Sequence, residues 1–216
     1  TGEFRWRMDL QKQFATREPG WYTGQCPLLD DGRVVIAPGG PEILMLAVDA
    51  ASGEILWSAP NPHGSDMTHA SVVTMRLGER DAYVYPGTKG VVAVWADTGE
   101  IALASEAFQW HTIAPSPLPL PGGRILLTAG YGANAGLFAV RETAGSFSLE
   151  RLRTTAPREY GAEQHTPILY KGHIYTVFPK PRQEMVCTDL ELNEVWASGR
   201  EHRFGDLVGV GRFPVA

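Results

Sequence analysis

The stretch that decides the fold lies at residues 46–57 and reads Leu46-Ala47-Val48-Asp49-Ala50-Ala51-Ser52-Gly53-Glu54-Ile55-Leu56-Trp57. Its key positions, Ala47, Asp49, Gly53 and Trp57, spell A-x-D-x-x-x-G-x-x-x-W. The same spacing recurs twice, each time 46 residues later, at Ala93, Trp95, Gly99 and Leu103 and then at Ala139, Arg141, Gly145 and Leu149. A fourth copy follows 48 residues on, with its last interval one residue shorter, at Cys187, Asp189, Asn193 and Trp196. A period of this length is typical of a stacked or radial array of repeats.

Each period contains four short apolar runs separated by glycine, proline and aspartate, and no window has a helical period over ten residues. Four antiparallel strands in about 46 residues are typical of a β-propeller blade. A β-sandwich would also contain short strands and frequent turns, but it would not place a glycine four residues before a tryptophan or leucine at this period. The sequence therefore predicts an all-β propeller of four-stranded antiparallel blades, with boundaries near residues 21–66, 67–112, 113–160 and 161–210.

The two ends of the chain match parts of the repeat. Residues 1–6 align with residues 52–57, and residues 212–214 align with residues 165–167. We expect partial blades at residues 1–10 and 211–216, and hence an arc of a larger ring. The remaining blades of that ring are the first expected partner of this arc.

The motif residues have structural tasks in this interpretation. Glycines at the third motif position would supply the positive φ of the turn between the third and fourth strands, a task that Asn193 takes over in the last copy. Asp49 and Asp189 would accept main-chain N–H groups in that turn. Trp57 and Trp196 would insert large apolar faces between adjacent blades. The residues assigned to this docking motif are Ala47, Asp49, Gly53, Trp57, Gly99, Gly145 and Trp196.

Composition excludes several functional classes. The formal net charge of the 216 residues is −5, and no run of lysine or arginine occurs, so nucleic acid is not an expected partner. No stretch approaches 18 apolar residues, so no membrane span is expected. The two cysteines, Cys26 and Cys187, form no CxxC pattern and are interpreted as small buried hydrophobes, with a disulfide as the alternative.

Polar and aromatic residues precede the innermost strand of several blades, where the loops of a propeller rim one mouth of its central funnel. The candidate ligand-binding residues in these loops are Gln25, His69, Trp110, His111, Glu163 and His165. The alternative is that these are surface residues with roles in local turns. Four histidines lie in these loops, but they belong to different blades and lack the local spacing of a metal site, so no metal site is predicted.

The repeat resembles the tryptophan-docking motif of the pyrroloquinoline quinone (PQQ) propellers. The segments LAVDAASGEILW (46–57) and TPILYKGHIYTV (166–177) carry this resemblance, which covers nearly the whole chain. It implies an eight-bladed ring, usually exported to the periplasm or the cell surface.

The family that the chain resembles contains two functional classes. One consists of propellers without a quinone, including the assembly lipoprotein of the outer-membrane β-barrel machinery; the other consists of PQQ- and Ca²⁺-dependent dehydrogenases that oxidise alcohols or sugars. The second class needs several oxygen ligands for calcium and a carboxylate base, and many of its members have a disulfide between adjacent cysteines. This chain has no adjacent cysteines. The primary prediction is a binding or assembly scaffold that contacts other proteins at the rim loops and needs no cofactor in this arc, with the dehydrogenase as the alternative.

Overall fold

The computed structural model describes residues 2–199 and 201. The described chain forms sixteen strands and one short helix, α1 (Leu10–Phe14). The strands, four to a sheet, are β1 (Leu28–Asp30), β2 (Arg33–Ile36), β3 (Ile43–Asp49), β4 (Ile55–Pro60); β5 (Val73–Leu77), β6 (Arg80–Gly87), β7 (Gly90–Trp95), β8 (Ile101–Ser105); β9 (Leu118–Leu120), β10 (Arg124–Leu127), β11 (Gly136–Thr143), β12 (Ser146–Thr154); β13 (Ile168–Tyr170), β14 (His173–Val177), β15 (Met185–Thr188) and β16 (Glu194–Ala197).

Every sheet is an antiparallel meander in which each strand pairs with the next strand in sequence. Short turns at aspartate and glycine fix the hairpin register, as in Asp30↔Arg33 of the first sheet. The predicted all-β architecture of four-stranded antiparallel blades is confirmed. The partial blade predicted at residues 211–216 lies outside the described residues.

The hydrophobic core is divided into three slabs, each lying between consecutive sheets. Strand β7 illustrates the reason, because its side chains alternate between the two faces of its sheet. Val92 and Val94 pack toward the first sheet, whereas Val91 and Ala93 pack toward the third. Both faces of an inner blade are therefore buried, and consecutive blades depend on each other for their cores.

The interface between the first two blades shows how the repeated motif joins neighbours. Trp57 lies against Gly99 of the next blade, where a Cβ atom on the glycine would come within 2.5 Å of the indole. The indole Nε1 donates a hydrogen bond to the carbonyl of Ala96 at 3.2 Å, and Arg33 Nη1 donates to the same carbonyl at 2.6 Å. The stacked ring of Tyr83 covers the indole from the second blade. Glycine is required at position 99 both for its φ of +74° and for this close approach.

The amino-terminal segment repeats this contact one blade earlier. Trp6 lies against Gly53 and donates its indole N–H to the carbonyl of Ala50 at 3.0 Å. The two carbonyls and the two glycines each differ by 46 positions, the period of the repeat. Residues 2–9 form no strand, so this segment matches the repeat in its docking contact rather than in its strand pairing.

The other two interfaces use different side chains. Leu103 takes the place of Trp57 in the second blade and is buried in the slab toward the third blade, where a Cβ on Gly145 would meet nothing within 4 Å. Between the third and fourth blades, Arg124 pairs with Glu191, and Arg153 donates to the Asn193 side chain at 3.0 Å. At this interface, guanidinium groups bind the turn of the fourth blade, which is equivalent to the turn of the second blade that the Trp57 indole contacts.

The turn before β16 differs from the prediction in its left-handed residue. Leu192, with φ 68°, takes the conformation that was expected for Asn193. Asp189 accepts the main-chain N–H groups of Glu191 and Asn193, which shifts the turn by one residue. This shift accounts for the shortened last interval of the motif. Trp196 lies against Tyr175 of its own sheet and remains 43% exposed, so the described residues do not wedge it between two blades.

The docking contact gives a test with an internal control. Gly99 and Gly145 occupy equivalent turns with φ of +74° and +78°, but only Gly99 faces an indole. We expect Gly145→Ala to lower the free energy of unfolding by the backbone strain alone, about 1–2 kcal/mol. Gly99→Ala adds the displacement of Trp57, a further ~1–3 kcal/mol.

Urea denaturation of both variants and the wild type measures the difference. Equal losses for the two substitutions would show that the indole does not rest on Gly99 as described.

Candidate functional site

Side-chain hydroxyl groups connect the starts of the innermost strands across all four blades. The Ser71 hydroxyl accepts the main-chain N–H of Cys26, the Ser116 hydroxyl accepts that of Ser71, and the Thr166 hydroxyl accepts that of Ser116, each at 2.9 Å. We call Ser71, Ser116 and Thr166 the hydroxyl ladder. Because each blade supplies the acceptor for its predecessor, the ladder fixes the spacing of the blades around the funnel.

The hydroxyl ladder forms one wall of a cleft of about 860 Å³, a volume within the usual range for ligand sites. The lining is neutral except for one imidazole, since it includes no aspartate, glutamate, lysine or arginine among the described residues. Besides the ladder it consists of Trp21, Tyr22, Gly24, His69, Thr112, Ala114, Tyr131 and Gln164.

Aromatic rings surround the opening of this cleft. Trp21, before β1 of the first blade, stacks on Tyr131, between β10 and β11 of the third blade, with ring centroids 6.1 Å apart. His69 of the second blade lies 5.8 Å from the ring of Tyr22, and Gln164 Nε2 of the fourth blade donates to the Tyr131 hydroxyl at 3.0 Å. We call Trp21, Tyr22 and Tyr131 the aromatic mouth. All four blades thus contribute to one opening.

Two features make the aromatic mouth unusual for a loop surface. Trp21, Tyr22 and Tyr131 remain 79%, 66% and 42% exposed, so their rings face solvent. Trp21 and Tyr131 also have positive φ angles of 75° and 58°, which cost bulky residues of order 1 kcal/mol or more. Exposed aromatic rings held in strained backbone are typical of a binding surface rather than of a packing surface.

Two of the predicted rim residues fasten main chain. The Gln25 side chain accepts the N–H of Ala37 at 2.7 Å and donates to its carbonyl at 3.1 Å. His165 occupies the equivalent place in the fourth blade, where its Nε2 accepts the N–H of Val177 at 3.0 Å. Each side chain therefore ties the approach to an innermost strand to the end of the second strand. Burial lowers the pKa of His165 below its usual 6.5, which favours the neutral ring that this contact requires.

Three further predicted residues lie beside the cleft rather than in its lining. Trp110 packs on the slab between the second and third blades, and its buried indole N–H has no described acceptor. His111 is exposed, and its ring lies 4.9 Å from that of Trp110 at a tilt of 39°. Glu163 lies against Gly130, where a Cβ would approach its main chain within 2.6 Å. Of the six predicted rim residues, His69 alone lines the cleft.

Sequence reasoning did not select Trp21, Tyr22 or Tyr131, although a signal for them exists. Both segments, Gly20-Trp21-Tyr22-Thr23-Gly24 and Gly130-Tyr131-Gly132, place large aromatic rings between turn residues in polar loops. Such rings have no packing role in a turn and therefore indicate a surface contact. The sequence does not show that the loops of Trp21 and Tyr131, more than 100 residues apart, converge on one opening.

The described residues offer no metal site or membrane-spanning helix. Within residues 2–199 and 201, no three His, Cys, Asp or Glu side chains are grouped as metal ligands. The described helix has five residues, far fewer than the roughly 20 that cross a bilayer.

Comparison with known proteins settles the family. Residues 1–198 match the PQQ_2 family model, which is described as outer membrane protein assembly factor BamB. The chain belongs to this family. The PQQ-like propeller repeat inferred from the Ala47–Trp57 motif is thereby confirmed. No curated protein sequence matches this PQQ_2 chain.

Two solved structures are similar to this PQQ_2 chain. BamB from Moraxella catarrhalis has a TM-score of 0.51 and 13% identity over 82% of this chain and 50% of its own. Quinohemoprotein alcohol dehydrogenase ADHIIG from Pseudomonas putida HK5 has a TM-score of 0.54 and 14% identity over 81% of this chain and 34% of its own. The chain thus spans half of one relative and about a third of the other, and identities this low establish the shared propeller fold alone.

The buried imidazole of His165 predicts an acid-sensitive contact. Its pKa is lowered in the folded state, so below pH 6.5 the unfolded chain binds more protons than the folded chain, and stability falls as the pH falls. His165→Gln should keep the contact with Val177, because Gln25 makes the same contact with Ala37. We expect the variant to lose less stability than the wild type between pH 7 and pH 5.

Urea denaturation across this pH range measures the effect. His111→Gln, a substitution of an exposed histidine, is the matched control and should follow the wild-type profile. A His165→Gln profile identical to that of the wild type would contradict the assignment.

Proposed function

We propose that this protein is a propeller scaffold that binds another protein at the aromatic mouth, in an exported assembly role at the bacterial outer membrane. Membership of the PQQ_2 family, described by an outer membrane assembly factor, supports the assembly role. The observation that carries the proposal is the aromatic mouth itself, where three exposed rings surround a neutral opening.

Large exposed aromatic rings leave apolar area in water, and a folded protein exposes them together mainly where a partner covers them. Tryptophan and tyrosine contribute most of the binding energy at protein interfaces because they bury large areas with few rotatable bonds. Contacts between blades join the parts of the mouth, since Trp21 stacks on Tyr131 and Gln164 donates to the Tyr131 hydroxyl.

The outer-membrane description of the family supports the export that we propose. An outer membrane assembly factor works outside the cytoplasm, and the free thiol Cys26 would be exposed there. Fractionation of cells that carry the full-length gene tests the proposed export. We expect the protein in the periplasmic or outer-membrane fraction. The remaining blades of the ring are proposed as further partners of this arc.

The alternative function, oxidation of an alcohol or sugar with PQQ and Ca²⁺, has a less suitable lining. Ca²⁺ takes six to eight oxygen ligands, usually including carboxylates, and no described lining residue of the cleft is a carboxylate. The residues of this cleft therefore do not fit the calcium–quinone pair. We propose that these blades act without either cofactor.

A complementation experiment tests the scaffold function. Deletion of the gene should lower the folded fraction of outer-membrane β-barrel proteins, measured by heat-dependent mobility in gels, and the full-length wild type should restore it. The double variant Trp21→Ala/Tyr22→Ala should restore it less, because the exposed rings are lost without loss of core packing.

The control for this experiment is Tyr170→Ala, which removes a 44% exposed ring outside the cleft lining and should complement fully. Full complementation by the double variant would refute the role of the mouth, and an unchanged β-barrel fraction after deletion would refute the assembly function.

A cofactor assay tests the alternative directly. The full-length protein, supplied with PQQ, Ca²⁺ and an artificial electron acceptor, should not reduce the dye with simple alcohols or aldoses. Sustained dye reduction that depends on both additions would establish the dehydrogenase and overturn the proposal.

A further inference from the structure

The hydroxyl ladder presents an unusual hydrogen-bonding surface to the cleft. In Ser71, Ser116 and Thr166 the oxygen already accepts a main-chain N–H from the preceding blade. A hydroxyl group has one proton to donate in addition to its acceptor positions, and among the described residues none of these three protons has an acceptor. The wall therefore carries a row of three O–H donors, all in the lining of the cleft.

The same contacts remove main-chain donors from the wall. The N–H groups of Cys26, Ser71 and Ser116 point at neighbouring hydroxyls and are not free for a ligand. These three residues lie two positions before β1, β5 and β9, so a peptide that paired with the main chain there would find those N–H donors already used. The ladder therefore disfavours the addition of a β-strand at this wall and favours a ligand that accepts hydrogen bonds from side chains.

Resting on the scaffold function proposed above, we propose that the cleft binds a proline-rich segment of the partner in the polyproline II conformation. Such a segment offers main-chain carbonyls as acceptors, and its prolines have no N–H that would need a partner. Proline rings pack on tryptophan and tyrosine faces, which the aromatic mouth supplies. The segment is uncharged, and the described lining contains no carboxylate, ammonium or guanidinium group.

Two parts of the cleft, the aromatic rings and the hydroxyl ladder, match two features of this ligand, its proline rings and its carbonyl groups. The rings of Trp21 and Tyr22 lie at the opening, beside His69, where alternating prolines would stack. The hydroxyl ladder lies within the cleft, where the carbonyls on another face of the three-residue turn would accept hydrogen bonds. Because a polyproline II segment is already extended before it binds, its binding costs little conformational ordering.

A labelled decaproline peptide tests the proposal on the full-length protein by fluorescence anisotropy, with an uncharged Gly-Ser decapeptide as the comparison ligand. We expect the wild type to bind decaproline and not the Gly-Ser peptide. Trp21→Ala and Tyr131→Ala should each weaken binding about tenfold or more, the usual effect of removing a central aromatic contact. Tyr170→Ala, with an exposure of 44% against 42% for Tyr131, is the matched control and should bind as the wild type does.

Thr166 provides a test of the hydroxyl ladder. Thr166→Ser keeps the hydroxyl and should bind decaproline, whereas Thr166→Val removes both the donor and the acceptor for Ser116 N–H and should bind it less tightly. If Thr166→Val fails to fold, as judged by its thermal unfolding, the Trp21 and Tyr131 variants still decide the question.

The outcomes separate this inference from the scaffold function. Absence of decaproline binding at millimolar concentration, or binding that Trp21→Ala leaves unchanged, overturns the inference. Binding of a neutral oligosaccharide such as cellohexaose in place of decaproline also overturns it. Loss of complementation in the mouth variants without decaproline binding would keep the scaffold and reject the proline-rich partner. Specific decaproline binding without a β-barrel phenotype would keep the proline-rich ligand and reject the assembly function.

Discussion

The structure depends on one constraint, that a four-stranded sheet with two apolar faces cannot bury either face by itself. Each slab of core lies between two blades, so every blade supplies half of its neighbour's interior. The contact of Trp57 with Gly99 and the Ala96 carbonyl sets the distance and angle of one such junction. Because the chain repeats this geometry with a fixed period, the innermost strands converge and create the funnel in which the cleft lies.

The three junctions meet this constraint with different chemistry. An indole fills the first, leucine and phenylalanine side chains pack in the second, and arginine–glutamate and arginine–asparagine contacts bind the third. A fixed blade spacing thus tolerates several kinds of side chain, provided that the turn carbonyls and apolar faces find partners. The hydroxyl ladder adds a second, inner set of junctions that are nearly identical from blade to blade.

The proposed binding function would draw on both sets of contacts. The inner ladder joins the segments that lead into the innermost strands, among them the segment that follows Trp21 and Tyr22, whereas Tyr131 lies between β10 and β11. Trp21 and Tyr131 keep positive φ angles of 75° and 58° while their rings stack on each other. A binding surface assembled from four blades can combine rings and hydroxyls that no single loop could present together.

The sequence by itself determined the architecture, because strand length, turn residues and the period of the Ala47–Trp57 motif are local properties. It did not identify the cleft: Gln25 and His165 were predicted at the rim, yet their side chains fasten the main chain of Ala37 and Val177. Only the tertiary structure decided which loops converge, since the stacking of Trp21 on Tyr131 and the row formed by Ser71, Ser116 and Thr166 arise from the angle between blades, which no local pattern records.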